Sequence, residues 1–236
     1  MRTDRPDATE SPYTVDVGHF QIESDFVSHV DDREAGEHVR QTKVAAFNVR
    51  MGVTRTTELG LFITPWTTRT ESGPSLASRR TSGFGDLGLR AKFNLWGNDD
   101  GESAGGFIID LSLPTADRGL GSDTVEGTLL IPFDFQLGGG WGLGAMSGVN
   151  VRGRPSGSGH RPVLITTATL SHDIAGQVGA YAEITSEVGD GSAVTAFDVG
   201  LTWAINSNLQ LDVGANIGLS TAATDLEVFA GASRRF

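Results

Sequence analysis

The sequence contains no cysteine, which excludes a disulfide framework, a thiolate zinc site and a cysteine nucleophile. It has no apolar run of the roughly 18 residues that a membrane-spanning helix requires. Clustered positive charge is missing too: Lys and Arg number 18 against 29 Asp and Glu, a net charge of −11. A nucleic-acid partner needs a basic face, so none is expected. Residues 1–17 lack the basic-then-apolar pattern of an export leader, so either a leader has been removed or the protein is not exported. Helical periodicity is missing almost everywhere.

What remains is glycine, at 32 of 236 residues, and alternation. Leu209, Leu211, Val213, Ala215, Ile217 and Leu219 interleave with Gln210, Asp212, Gly214, Asn216 and Gly218. Phe197, Val199, Leu201, Trp203 and Ile205 do so with Asp198, Gly200, Thr202 and Ala204. Leu129–Leu137, Leu87–Leu95 and Phe107–Leu113 repeat the pattern. A period of two is the signature of a strand with two unlike faces. About twelve such segments occur, starting near Phe20, Val44, Glu58, Phe84, Gly106, Thr128, Trp141, Val163, Val178, Ala196, Leu209 and Leu226. Their length suits membrane-crossing strands of about 9–11 residues.

The connectors form two sets. "VTRTTE", "GNDDGES", "LGGGWG", "DIAGQ" and "INSN" are short, whereas "HVDDREAGEHVRQ", "TTRTESGPSLASRR", "PTADRGLGSDTVE", "VRGRPSGSGHR" and "SEVGDGSA" are longer and more polar. Short turns at one end and long loops at the other are the asymmetry of outer-membrane barrels. A soluble β-sandwich or lipocalin-like barrel also alternates, but its solvated face would carry many Lys and Glu. Here that face is Gly, Ser, Thr, Asn and single charges. The expectation is an all-β fold: a closed antiparallel transmembrane β-barrel of about 12 strands with up-and-down topology. Residues 1–17 form a periplasmic N-terminal tail and 18–236 the barrel. Pro6 and Pro12 keep the tail extended and out of sheet ladders. Asp4, Arg5, Asp7 and Glu10 are able to pair with lumen charges.

Three motifs carry a family resemblance. "TDRPDATESPYTVDVGHFQIE" opens the chain, with Gly18, Gln21 and Glu23 in its first strand; "GFGD" spans Gly83 to Asp86; "LSLPTAD" spans Leu111 to Asp117. In these the chain resembles the outer-membrane β-barrel family of proposed transporters of the meta-pathway of phenol degradation. The resemblance implies a monomeric outer-membrane barrel that passes small hydrophobic or aromatic molecules.

No constellation points to catalysis. Ser171, His172 and Asp173 hold the three triad residue types, but strand neighbours point to opposite faces. His19, His29 and His38 lack metal-ligand spacing. "GDGS" and "GNDDGE" lack the spacing of a calcium loop and read as solvated turns. The informative charges are those the phase puts inside: Glu23, Asp25, Arg50, Glu58, Arg90, Lys92, Asp110, Asp134, Glu183, Asp198, Asp212 and Glu227. Such residues line a pore or pair up to close a lumen. Arg90 and Lys92 face Asp110 of the next strand, and inward Gly200 and Gly214 leave room. Arg235 is also assigned inward. Arg79, Arg80, Arg152, Arg154 and Arg161 fall among the longer connectors, where lipopolysaccharide phosphates are candidate partners. Phe236 at the chain terminus resembles the assembly signal read by the barrel-assembly machinery.

The expected function is an outer-membrane channel for passive uptake of small molecules. The alternative is a non-transporting barrel whose lumen is closed by charge pairs or by the tail. An enzyme, a cofactor and a metal are not expected. The expected partners are outer-membrane lipids, lipopolysaccharide, the assembly machinery and a small-molecule solute.

Overall fold

The structure, a computed structural model, describes residues 1–74, 76–99, 101–154 and 159–236. The remaining six residues and the side chain of Leu76 lie outside the described residues, so the "TTRTESGPSLASRR", "GNDDGES" and "VRGRPSGSGHR" connections are described in part. Among the described residues there is no helix, and fifteen strand segments form one antiparallel sheet.

The segments are β1 (Phe20–Glu34), β2 (Glu37–Val44), β3 (Phe47–Thr54), β4 (Thr57–Ile63), β5 (Trp66–Gly73), β6 (Leu76–Gly83), β7 (Leu87–Trp96) and β8 (Ser103–Leu113). Then follow β9 (Glu126–Gly138), β10 (Trp141–Gly153), β11 (His160–Ala175), β12 (Val178–Gly189), β13 (Ser192–Asn206), β14 (Leu209–Gly218) and β15 (Leu226–Arg235). Three pairs are collinear: β2 with β3, β4 with β5, and β6 with β7. The sheet therefore has twelve staves, and β1 pairs with β15 to close it. Closure leaves no unpaired edge, which a sheet in lipid cannot tolerate.

The alternation now has a spatial meaning. Val199, Leu201, Val213, Ile217, Leu129 and Ile131 are exposed on the outer surface. Glu58, Lys92, Arg50, Glu183 and Asp198 are buried in the interior. This is the inside-out arrangement that apolar surroundings demand.

The collinear pairs break along one seam. It crosses four staves: a bulge in β1 between Asp25 and Val27, then Ala45–Ala46, Thr64–Pro65 and Phe84–Asp86. Ala45 has a φ of 55°, and Pro65 has no N–H to give to a ladder. Only isolated bonds stitch the seam, among them Asp25 N–H to Ala46 O at 2.8 Å and Gly85 N–H to Thr64 O at 2.9 Å. Exposed Phe26, Val44, Trp66 and Phe84 mark it on the outside. Beyond it the face carrying Val44 and Trp66 turns polar, with Thr42, Thr68 and Ser82 in register, then Arg40, Thr70 and Arg80.

Two expectations are corrected here. "HVDDREAGEHVRQ" is not a loop; it is the paired ends of β1 and β2 around a turn at Ala35–Gly36. Most of "TTRTESGPSLASRR" likewise belongs to β5 and β6. Strands that continue past the apolar zone have two wet faces, so they lose the alternation that reveals a strand. The "PTADRGLGSDTVE" connection does form a loop, and Asp86 holds it. That carboxylate accepts Thr115 N–H, Ala116 N–H and Ser122 N–H at 3.0, 2.9 and 2.7 Å. Asp117 answers by accepting Phe84 N–H at 2.8 Å. The "GFGD" and "LSLPTAD" motifs therefore form one clamp.

Candidate functional site: the occupied lumen

Residues 1–17, the tail whose charges were expected to pair with lumen groups, lie within the barrel. They run through its interior, where Asp4, Thr9, Pro12, Tyr13 and Val15 are buried. Only van der Waals room and charge decide such a path. A Cβ at Gly231 would overlap the Arg5 guanidinium, and one at Gly52 would overlap the Val15 and Asp16 carbonyls. Gly52, which meets backbone, requires glycine for the segment to fit, and a side chain at 231 would displace the Arg5 guanidinium.

Ion pairs fix the segment along its length. Arg5 reaches Asp212 of β14 at 2.6 Å and Asp25 of β1 at 2.7 Å. The backbone N–H groups of Asp4 and Arg5 both donate to Glu23 Oε2, each at 3.1 Å. Asp4 itself sits among Lys92, Arg50 and Arg90. Arg50, fully buried, donates to Glu23 at 2.5 Å, to Glu58 at 2.7 and 2.9 Å and to the Tyr13 carbonyl at 3.1 Å. Glu58 in turn accepts Val15 N–H at 2.8 Å. A buried guanidinium is tolerable only when its donors are satisfied in this way.

Arg90 is the central tie. Its guanidinium binds Glu10 of the segment through two bonds of 2.6 Å. Through two more, at 2.7 and 2.8 Å, it binds Asp110 of β8. It also lies 4.5 Å from the centroid of the Phe62 ring. Such double forks are the most directional ion pairs available to arginine. Further along, Ala8 N–H donates to Glu183 at 2.7 Å, Thr9 bonds Glu183 and Thr167, and Tyr13 OH donates to Asp134 at 3.1 Å.

All twelve charges assigned inward by phase face this interior. Nine of them, Glu23, Asp25, Arg50, Glu58, Arg90, Lys92, Asp134, Glu183 and Asp212, contact residues 1–17 directly. Asp110 is tied to the segment through Arg90, and Asp198 accepts Tyr181 OH at 3.0 Å. Glu227 accepts Ser28 Oγ at 2.5 Å. The Tyr181 ring also fills the room left by Gly200 and Gly214. Arg235 keeps the inward phase at the barrel rim, in register with buried Gln21 and 2.7 Å from Asp16 of the segment. Phe236 is exposed at the same rim, its N–H donating to Phe20 O at 2.8 Å. Of the connector arginines, Arg152 is committed to Glu187 and Arg161 to Asp190, while Arg79 and Arg80 are exposed on β6. Ser171 and His172 do not meet as a relay; His172 instead stacks on Trp141 at 4.1 Å.

Three cavities surround the segment. One of about 300 Å³ opens at the end that carries both termini and is lined by Asp7, Tyr181 and Gln210. One of about 200 Å³ lies against the seam, at Ala46 and Thr64. The third, about 490 Å³, is a vestibule at the opposite end, lined by Leu130, Met146, Arg152, Ile165 and Glu187. Glu10 lines all three. Its pairing with Arg90 is where the three spaces meet. Ile108, Leu130, Met146 and Ile165 were not among the sequence candidates. The signal was there: Phe107–Ile108–Ile109 and Leu129–Leu130–Ile131 interrupt the alternation on adjacent strands.

The fold has clear relatives among solved structures. It matches an outer membrane channel from Pseudomonas putida F1 with a TM-score of 0.71 at 16% identity, over 98% of this chain and 99% of that one. The NanC porin matches with a TM-score of 0.57 at 5% identity, over 91% and 98%. The KdgM porin in complex with disordered oligogalacturonate matches with 0.55 at 8%, over 89% and 98%. No curated protein matches the sequence. Residues 3–236 match the family described as "Putative MetA-pathway of phenol degradation". The chain, a closed outer-membrane barrel in fold, belongs to that family.

Proposed function

We propose that the protein is an outer-membrane channel for the passive uptake of small molecules, with residues 1–17 as its resident plug. The observation that carries this reading is the division of the lumen at Arg90. Toward the termini the segment and its ion pairs cross the interior and leave cavities of about 300 and 200 Å³ beside them; beyond Glu10 a vestibule of about 490 Å³ stays open. The likeness in fold to channels and porins supports a channel role. Small apolar or aromatic solutes suit it better than acidic sugars, because the interior carboxylates outnumber the cations. The experiment is conductance in planar bilayers. The full chain gives small, infrequent openings, and variants that loosen the segment give larger ones.

A second reading is favoured by one observation. Arg50 and Lys92 are fully buried among carboxylates from the segment and the wall, as in a barrel closed for structural purposes. A chain that conducts neither with nor without its first 17 residues would establish it.

A further inference from the structure

Inward positions of a water-filled barrel are ordinarily polar. Here one level of the lumen is not. Ile108 of β8 is in register with Leu130 of β9, Leu130 with Gly148 of β10, and Gly148 with Ile165 of β11. Gly148 lacks the side chain that would collide with Leu130, so Leu130 lies across it toward Ile165. Met146, one step along β10, completes the cluster, with Ile108 fully buried behind. Leu130, Met146 and Ile165 form one wall of the 490 Å³ vestibule.

The opposite side of the vestibule is polar, and among the described residues it holds no spare cation. Arg90 is forked to Glu10 and Asp110, and Arg152 is forked to Glu187 at 2.7 and 2.8 Å. Glu227 is held by the neutral hydroxyl of Ser28. The lining charges are four carboxylates and two guanidinium groups. An anion entering this space meets no unpaired positive charge and a net negative field, which a low-dielectric wall strengthens. A neutral molecule is indifferent to that field and gains by covering the apolar wall. Asn150 and Thr128 also line the cavity. The volume lies in the range of about 300–1,000 Å³ typical of small-molecule sites.

We propose that the wall formed by Leu130, Met146 and Ile165 is a binding site for a neutral, largely apolar solute of one or two rings. The inference rests on the channel reading for its biological sense, but not for its test. The site selects against carboxylates by field and against sugars by its apolar wall. It holds the solute beside the Glu10–Arg90 closure, ready for passage.

The absence of cysteine allows a local readout that ignores partition of the solute into lipid. Ala196 lines the vestibule and Gln210 the cavity at the other end. The Ala196→Cys and Gln210→Cys proteins, reconstituted in nanodiscs, are treated with a small thiol-reactive reagent with and without 2-naphthol. Saturable, several-fold protection at position 196 and none at 210 is expected. 2-Naphthoate, the same rings carrying a charge, is expected to need at least a tenfold higher concentration. Met146→Gln, similar in shape, and Ile165→Asn should each abolish protection at 196, with heat-modifiable gel mobility reporting that both fold. Absent protection, equal protection by naphthoate, or unchanged protection in a folded Met146→Gln protein would overturn the site. Protection in a protein that never conducts would uphold the site and remove the channel reading. Conductance without protection would do the reverse.

Discussion

Arg5 and Asp212 are 207 residues apart in sequence and 2.6 Å apart in space. The pair joins the first turn of the chain to its fourteenth strand across the barrel interior. With Asp25 on the other guanidinium nitrogen, it ties the entering segment to both sides of the β1–β15 closure. Its removal separates two roles for an interior carboxylate. If Asp212 acts mainly on permeating ions, Asp212→Asn alters selectivity; if it acts by holding the segment, the substitution raises conductance. The second outcome is predicted, and Arg5→Ala should reproduce it. Single-channel recording of both variants against the parent chain checks this.

Arg50 makes a different prediction because it is fully buried. Replacing it by Met leaves Glu23 and Glu58 without their shared cation. Breaking a buried ion pair from one side costs about 3–5 kcal/mol. Urea unfolding in detergent micelles should show a loss of that order, while Arg79→Met, at an exposed position, should be nearly silent.

The outer surface yields a third expectation. Val213 is half exposed on β14 between strands with apolar outer faces. If it lies near the bilayer midplane, Val213→Arg should destabilise the folded barrel by about 2–4 kcal/mol. Equilibrium folding into lipid vesicles, with Val213→Leu as control, measures it. No loss would mean that this face is not lipid-facing.

Much of this was legible in the sequence, for a physical reason. A barrel in lipid must repeat one contrast, apolar outside and polar inside, so Asp198 between Phe197 and Val199 already declares its direction. The closure by β1 and β15 follows from the absence of any tolerable edge. Three things were not legible. The paired ends of β1, β2, β5 and β6 rise past the apolar zone, where both faces are wet and the alternation stops. The apolar inner wall was hidden because Leu129, Leu130 and Ile131 read as one apolar run, and only registration with Ile108 and Gly148 shows that Leu130 turns inward. The course of residues 1–17 depends on partners more than 150 positions away, such as Glu183 and Asp212, which no local pattern encodes. Their charges announced that they would pair with lumen charges, but not with which ones.

Ala8 offers a further check on where the segment lies. It lines the vestibule, and its N–H is bonded to Glu183 at 2.7 Å. An Ala8→Cys protein should react with a small membrane-impermeant thiol reagent added to intact cells, and reaction should be slow for Val15→Cys, which is buried by Glu58. Equal rates at both positions would mean that the segment does not hold this path in the membrane.

Occlusion of a conducting barrel by residues 1–17 is open to direct test by removing them. Single-channel conductance of the full chain and of a chain lacking residues 2–17 should be compared in planar bilayers under one salt condition. Small or rare openings are expected for the full chain, and for the shortened one stable openings several-fold larger. Identical conductance in two folded proteins would contradict it.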